Sequence, residues 1–221
     1  MQPSRVNELV TQAIRETSGL VTHRPYLGMS QIARCSRQLY FDFVEGREHQ
    51  SDRAHQNCKR GYLIEGEFKT MLAAMGVIRV VTGFPAQDHE TGALLYGCER
   101  EIIAPFDSRF RGHTDGETVD GDLLEIKSMT QEKFEKALQL NRIDVAHYWQ
   151  VQAYMRYGEY STAIVEYVSS ETFDHHAFRI AINPRLGAEM EAKAKAILAA
   201  IDTHNAPRCE CGKCQRNGSR S

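Results

Sequence analysis

Apolar residues recur along this chain with two different periods, and the change from one to the other lays out an order of helices and strands. Phe68, Leu72 and Met75 fall three to four apart, the spacing of one helix face, and Val151, Ala153 and Met155 mark the buried part of a second helical segment. Leu124 and Ile126 alternate instead with Glu125 and Lys127, the period of a strand that turns one face to a core. The patterning predicts helices over 5–17, 30–44, 57–75, 130–140, 146–157 and 184–202. It predicts strands over 77–84, 99–105, 109–118, 122–128, 162–168 and 175–181. Ser30 is placed as the N-cap of the helix that carries Cys35, and Pro184 near the start of the last long helix. Gly19, Pro25, Gly28 and the stretch 45–51 read as connectors. Helices, a strand meander, more helices and a returning strand fit an α/β fold with a mixed central sheet flanked by helices.

The segment from Arg109 to Ser128 carries the most chemistry. Val119-Asp120-Gly121 suits a three-residue hairpin loop that closes with Gly in the left-handed region, which pairs Thr118 with Asp122. Counting outward, Asp115 falls opposite Glu125 and His113 opposite Lys127, so these four residues share one face while Leu124 and Ile126 take the other. A two-residue loop at Asp120-Gly121 would mix polar and apolar positions, and burial of one face selects against it. Two carboxylates facing each other repel at neutral pH unless a cation lies between them. A hard divalent ion with oxygen ligands, Mg2+ or Mn2+, suits Asp115 and Glu125. Such an ion activates water and polarises a phosphoryl oxygen, and Lys127 is placed to orient the nucleophile or stabilise developing charge. A lone match of this kind also fits an exposed strand whose charges make weak surface pairs.

Composition narrows the remaining classes. With 221 residues, 42% of them hydrophobic, the chain can bury the core of one domain. A formal charge of −2 excludes an argument for nucleic-acid binding from bulk charge. Local basic groups carry that argument instead: Arg53, Lys59 and Arg60 in one run, and Arg208, Lys213, Arg216 and Arg220 in another. No apolar run approaches membrane-spanning length and no targeting segment is visible, so a cytoplasmic protein without membrane contact is expected. No GxxxxGK[ST] loop occurs, which excludes a complete helicase-nuclease.

Taken in order, Gly61-x-x-x-Glu65, Gly112-x-x-Asp115, Glu125-Ile126-Lys127 and Gln150-x-x-x-Tyr154 resemble the motif series of RecB-like nucleases in the PD-(D/E)XK superfamily. With Cys35 and the cysteine-rich tail added, the chain is most similar to the CRISPR-associated RecB-type exonucleases, whose relatives also occur as stand-alone phage genes. The resemblance covers about residues 30–215. It implies a PD-(D/E)XK core in which Asp115, Glu125 and the Ile126 carbonyl bind metal, Lys127 is catalytic, and Gln150 and Tyr154 hold or orient DNA. Glu65 stands where many relatives place a His metal ligand. The resemblance further implies exonuclease action on single strands or DNA ends.

The tail, PRCECGKCQRNGSRS, packs Cys209, Cys211 and Cys214 into six residues. A disulfide framework would leave one thiol unpaired, so metal ligation is the better account, with a fourth ligand from Cys35, Cys58, Cys98 or a His. Similarity to the same family selects Cys35, and favours a [4Fe-4S] cluster at Cys35, Cys209, Cys211 and Cys214. Spacing alone leaves zinc open. In either case the site would staple the tail to the N-terminal helices. Cys58 and Cys98 are read as small buried hydrophobes.

The expected organisation is a single nuclease domain, with residues 1–50 as a helical part bearing Cys35, 51–182 as the core and 183–221 as the last helix and tail. The expected activity is that of a metal-dependent DNA exonuclease. The rival from another class is a non-catalytic or assembly-dependent nucleic-acid-processing subunit with a structural zinc. A homo-oligomer, or a partner in CRISPR adaptation or recombination, is compatible with both.

Overall fold

A computed structural model describes residues 5–18, 24–46, 51–79, 86–87, 94–95 and 98–212 of the protein. In chain order the elements are α1 (Arg5–Thr17), β1 (Leu27–Gly28), a 3-10 turn (Met29–Gln31), α2 (Ser36–Val44), α3 (Asp52–Ala74), β2 (Ala86–Gln87) and β3 (Leu94–Leu95). There follow β4 (Glu101–Ile103), β5 (Phe110–His113), β6 (Gly116–Glu117), β7 (Leu123–Met129), α4 (Gln131–Leu140) and α5 (Val145–Gly158). The last three are β8 (Thr162–Ser169), β9 (His175–Ala181) and α6 (Pro184–Asp202). Five of the six expected helices thus form within a few residues of their predicted bounds.

The strands make two mixed sheets. In one, β5 lies between β1, parallel to it, and β4, antiparallel. In the other the order is β6-β7-β8-β9, with β7 and β8 parallel and both outer pairs antiparallel. The parallel pair needs a crossover, and α4 and α5 supply it. β2 and β3 form a short separate hairpin that the sequence patterning does not predict.

Leu123, Val165 and Tyr167 face Val151, Ala153 and Met155 of α5 and Met190, Ala194 and Ile197 of α6 in the larger core. Leu124, Ile126 and Val168 form a second core with Ile64 and Phe68 of α3, Ile78 and Cys98. Burying each Val, Leu, Ile, Phe or Met among them contributes roughly 1.5–3 kcal/mol. β7 is therefore covered on both faces, and its polar residues Glu125 and Lys127 lie under α5 rather than in open solvent. Caps fix the helices that matter: Ser51 Oγ accepts from Ala54 N–H, Asp144 from Ala146 N–H, and Asn183 from Leu186 N–H ahead of Pro184 at the first turn.

Three sequence expectations need correction. The helix over 30–44 is divided, because Leu27, Met29 and Ile32 all enter the core through a 3-10 turn; Cys35, with extended backbone, becomes the N-cap of α2, so Ser30 does not cap it. The strand over 109–118 is interrupted at Thr114 and Asp115: Thr114 N–H still bonds the carbonyl of Arg100, the residue just ahead of β4, while Gly116 opens the pairing with β7. The strand over 77–84 begins as expected, Ile78 bridging Thr118, and its residues 80–84 lie outside the described residues. Among the described residues no helix is long and apolar enough to cross a membrane.

Candidate active site

The three-residue loop forms with the predicted register. Thr118 pairs with Asp122 around Val119-Asp120-Gly121, and Gly121 takes φ +86, a conformation a side chain would strain. The ladder runs through Glu117 opposite Leu123 and Gly116 opposite Leu124, which brings Asp115 to Glu125. There it ends, because the Asp115 side chain takes over: its Oδ2 accepts the Ile126 N–H at 2.7 Å. His113 consequently belongs to the other sheet, opposite Glu101 and half exposed, and not to the face of Lys127. Its place in the polar set is a misreading that follows from extending the ladder through the break.

Glu125 is 1% exposed in the middle of β7. Its Oε1 accepts from Gln150 Nε2 at 2.5 Å and also contacts Lys127 Nζ. Its Oε2 is buried and without a hydrogen-bond partner. Gln150 also donates to the Tyr154 hydroxyl at 3.4 Å, so one face of α5 places both residues over the strand. Gly112 makes room for this: a Cβ there would lie 2.7 Å from the Tyr154 ring. The Gly112-x-x-Asp115 spacing therefore has a packing cause at its first residue and a chemical one at its last.

From the opposite side α3 delivers Glu65 and Lys69. Lys69 is 1% exposed, and its ammonium lies 2.6 Å from Glu65 Oε1, 2.7 Å from Glu99 Oε1 and 3.6 Å from Asp115 Oδ1. Nothing in the sequence patterning marks Glu99 as a partner of Lys69, which stands one helical turn past Glu65. The i,i+4 spacing is visible in the sequence, whereas the burial of the ammonium among three carboxylates arises from how α3 crosses the sheet.

Electrostatics follow from this crowding. Burial, and then the Asp115 charge, push the Glu125 carboxyl up to about 8, against the pull of Lys127. The same two causes raise Glu65 to about 7, against Lys69. For Asp115 burial is outweighed by Lys69, Lys127 and the Ile126 N–H, which hold its carboxyl below the ordinary value. Burial opposes the charge of Lys127 too, but the Glu125, Asp115 and Glu65 carboxylates keep the ammonium above its usual range. Burial and the Glu125 carboxylate raise the Tyr154 hydroxyl. An excess of buried negative charge with one unpartnered carboxylate oxygen is a setting that a hard cation fits, and the donors are oxygens throughout.

Arg60 lies on the exposed side of α3 and bonds Asn57, not the carboxylates. Lys59 bonds the Thr17 carbonyl, Arg53 and Arg208 are exposed, and Lys213, Arg216 and Arg220 fall outside the described residues.

A second cluster stands apart. The thiols of Cys35, Cys209 and Cys211 lie within 4.8 Å of one another, the sulfurs of Cys209 and Cys211 3.7 Å apart. Arg37 bonds the Pro207 carbonyl and Ser36 contacts Glu210, so α2 receives the tail across 174 residues of sequence. Cys214 lies outside the described residues. Cys98 is buried as expected, its thiol donating to the Asp115 carbonyl, whereas Cys58 is only half-buried.

Neither known family profiles nor curated proteins match the chain. Solved structures do. An alkaline exonuclease from Laribacter hongkongensis, LHK-Exo, aligns at TM-score 0.57 and 16% identity over 89% of this chain and 93% of that one. The LHK-Exo complex with dAMP aligns at TM-score 0.59 and 17% identity with the same coverage. The structure of SSO0001 aligns at TM-score 0.52 and 15% identity over 97% of this chain and 95% of that one. The α/β core with mixed strands flanked by helices, expected from the sequence, is thus an exonuclease-type nuclease fold.

Proposed function

We propose that the protein is a metal-dependent deoxyribonuclease of the PD-(D/E)XK superfamily, an exonuclease acting on single-stranded DNA or DNA ends. The observation that carries this reading is the unpartnered Glu125 Oε2, buried beside Asp115, in a carboxylate whose other oxygen is held by Gln150 and Lys127. Asp115, Glu125 and the Ile126 carbonyl, with Glu65 from α3, would hold Mg2+ or Mn2+. When bound, such an ion lowers the pKa of water and polarises a phosphoryl oxygen.

The chain's own residues do the rest. Gln150 and Lys127 fix the Glu125 carboxylate in one rotamer, and the Ile126 N–H does the same for Asp115. Lys127, about a quarter exposed, is the charged group that can reach both the attacking water and the phosphoryl oxygens as charge develops on them. Tyr154 and Gln150 help hold the strand by fixing the wall of the site, and Arg60 supplies a phosphate contact from outside. The fold shared with exonucleases, one of them in complex with dAMP, supports DNA as the substrate class.

The gathered thiols of Cys35, Cys209 and Cys211 support a four-thiolate site completed by Cys214. Three convergent sulfurs fit an iron-sulfur cluster or zinc, and we assign [4Fe-4S]. This combination of sites suggests kinship with the CRISPR-associated RecB-type exonucleases and a cytoplasmic setting. Iron, sulfide and zinc analysis of anaerobically purified protein tests the assignment; a colourless protein with stoichiometric zinc overturns it.

Labelled single-stranded DNA incubated with Mn2+, with and without chelator, tests the activity on wild type and Lys127→Ala. Cleavage that needs the metal and Lys127 is the expected result. A folded wild type that binds DNA without metal-dependent cleavage would identify a binding subunit instead.

A further inference from the structure

The Lys69 ammonium has a position that the proposed hydrolysis does not use. Lysine is almost never fully buried unless it is paired, and here it is paired with two carboxylates and directed at a third. An ammonium has three donors. Two reach Glu65 and Glu99, and Asp115 Oδ1 lies 3.6 Å from the nitrogen. The acidic cluster therefore has two halves. On the α3 side Glu65, Glu99 and Asp115 Oδ1 surround a cation that is part of the chain. On the β7 side Glu125 Oε2 has no partner.

We propose that Lys69 supplies the positive charge that a second divalent cation would otherwise bring, so that this site takes one Mg2+ or Mn2+ per chain and not two. The inference rests on the metal-dependent reading above and specifies its stoichiometry. Charge balance supports it. Four carboxylates, Glu65, Glu99, Asp115 and Glu125, face two ammonium groups, Lys69 and Lys127, which leaves two negative charges, the charge of one divalent ion. A second ion would give the buried cluster an excess of positive charge at a large desolvation cost. Space agrees with charge. The Lys69 ammonium already fills the space among Glu65, Glu99 and Asp115 Oδ1, at 2.6, 2.7 and 3.6 Å from their oxygens, where a second ion would have to sit. Glu65 has one oxygen committed to Lys69, and Glu99 is a positioning residue that holds the ammonium from the far side.

The test is a Mn2+ titration of the full chain read by electron paramagnetic resonance and calorimetry, on wild type, Lys69→Met and Lys69→Ala, with folding checked by circular dichroism. Wild type is expected to bind one Mn2+ with an uncoupled spectrum. The folded Lys69 variants are expected to take up a second ion and show a spin-coupled pair. Two ions on wild type together with metal-dependent cleavage would overturn this proposal and leave the hydrolytic reading standing. No bound ion and no cleavage would overturn both. Folded variants that still bind a single ion also overturn it. Where neither variant folds, the wild-type count decides alone.

Discussion

The side-chain amide of Gln150 donates to Glu125 Oε1, so a helix of the sheet crossover determines which oxygen of a buried carboxylate stays free. That bond predicts a separation of effects. In Gln150→Ala, Glu125 loses a neighbour that orders it, and Mn2+ affinity should fall roughly 10–100-fold, the usual consequence of removing a group that orients a metal ligand. DNA affinity measured in chelator should fall less than Mn2+ affinity, because Gln150 helps hold the strand only through the wall of the site that it fixes. The reverse pattern, unchanged Mn2+ binding with weakened DNA binding, would make Gln150 a direct DNA contact.

Stability should depend on pH in a definite direction once metal is removed. Glu65 and Glu125 have folded values of about 7 and about 8 against an ordinary value of 4.5. In that interval the native chain binds more protons than the unfolded one, so stability falls as pH rises from about 4.5 through about 8. Thermal melts in chelator should show this decline, and added Mn2+ should restore more stability at pH 9 than at pH 5. A melting temperature in chelator that rises across the interval would contradict the environment assigned to both carboxyls.

Gly112→Ala tests the packing beneath the site. The added Cβ would meet the Tyr154 ring at 2.7 Å, and both belong to well-packed elements. Overpacking of this kind costs about 1–3 kcal/mol, to be read from urea denaturation. Tyr154→Ala in the same background should recover part of the loss, because it removes the clashing ring. Equal stability of Gly112→Ala and wild type would mean that the ring moves aside freely.

The thiol site should act on the fold before it acts on chemistry. Cys211→Ser should lower the melting temperature by about 5 °C or more, on the order of 2 kcal/mol for a chain of this size, with metal-dependent cleavage surviving at temperatures where the variant is folded. Unchanged melting with abolished cleavage would place the thiols in the reaction instead.

How far the sequence reveals this site depends on the range of the interactions that build it. The loop at Val119-Gly121 and its register are local, set by a Gly that must take positive φ and by alternation along Leu124–Ile126, and both formed as predicted. His113 was misassigned because nothing in the alternation marks the point where Asp115 exchanges a ladder bond for a side-chain one. Lys69 and Glu99 are 30 positions apart, and their meeting needs the crossing of α3 over the sheet, which no periodicity encodes. The convergence of Cys35 on the tail was expected only from family likeness, and α2 and the tail do meet there.

The break at Thr114–Asp115 also makes the site a joint. One acid sits at the seam between the two sheets and the other inside the second, and the bond from the Ile126 N–H to Asp115 holds the gap between them. Substitutions around Arg100 and Thr114 that strain this bond should therefore be felt as altered ion selectivity, large ions against small, long before they are felt as unfolding.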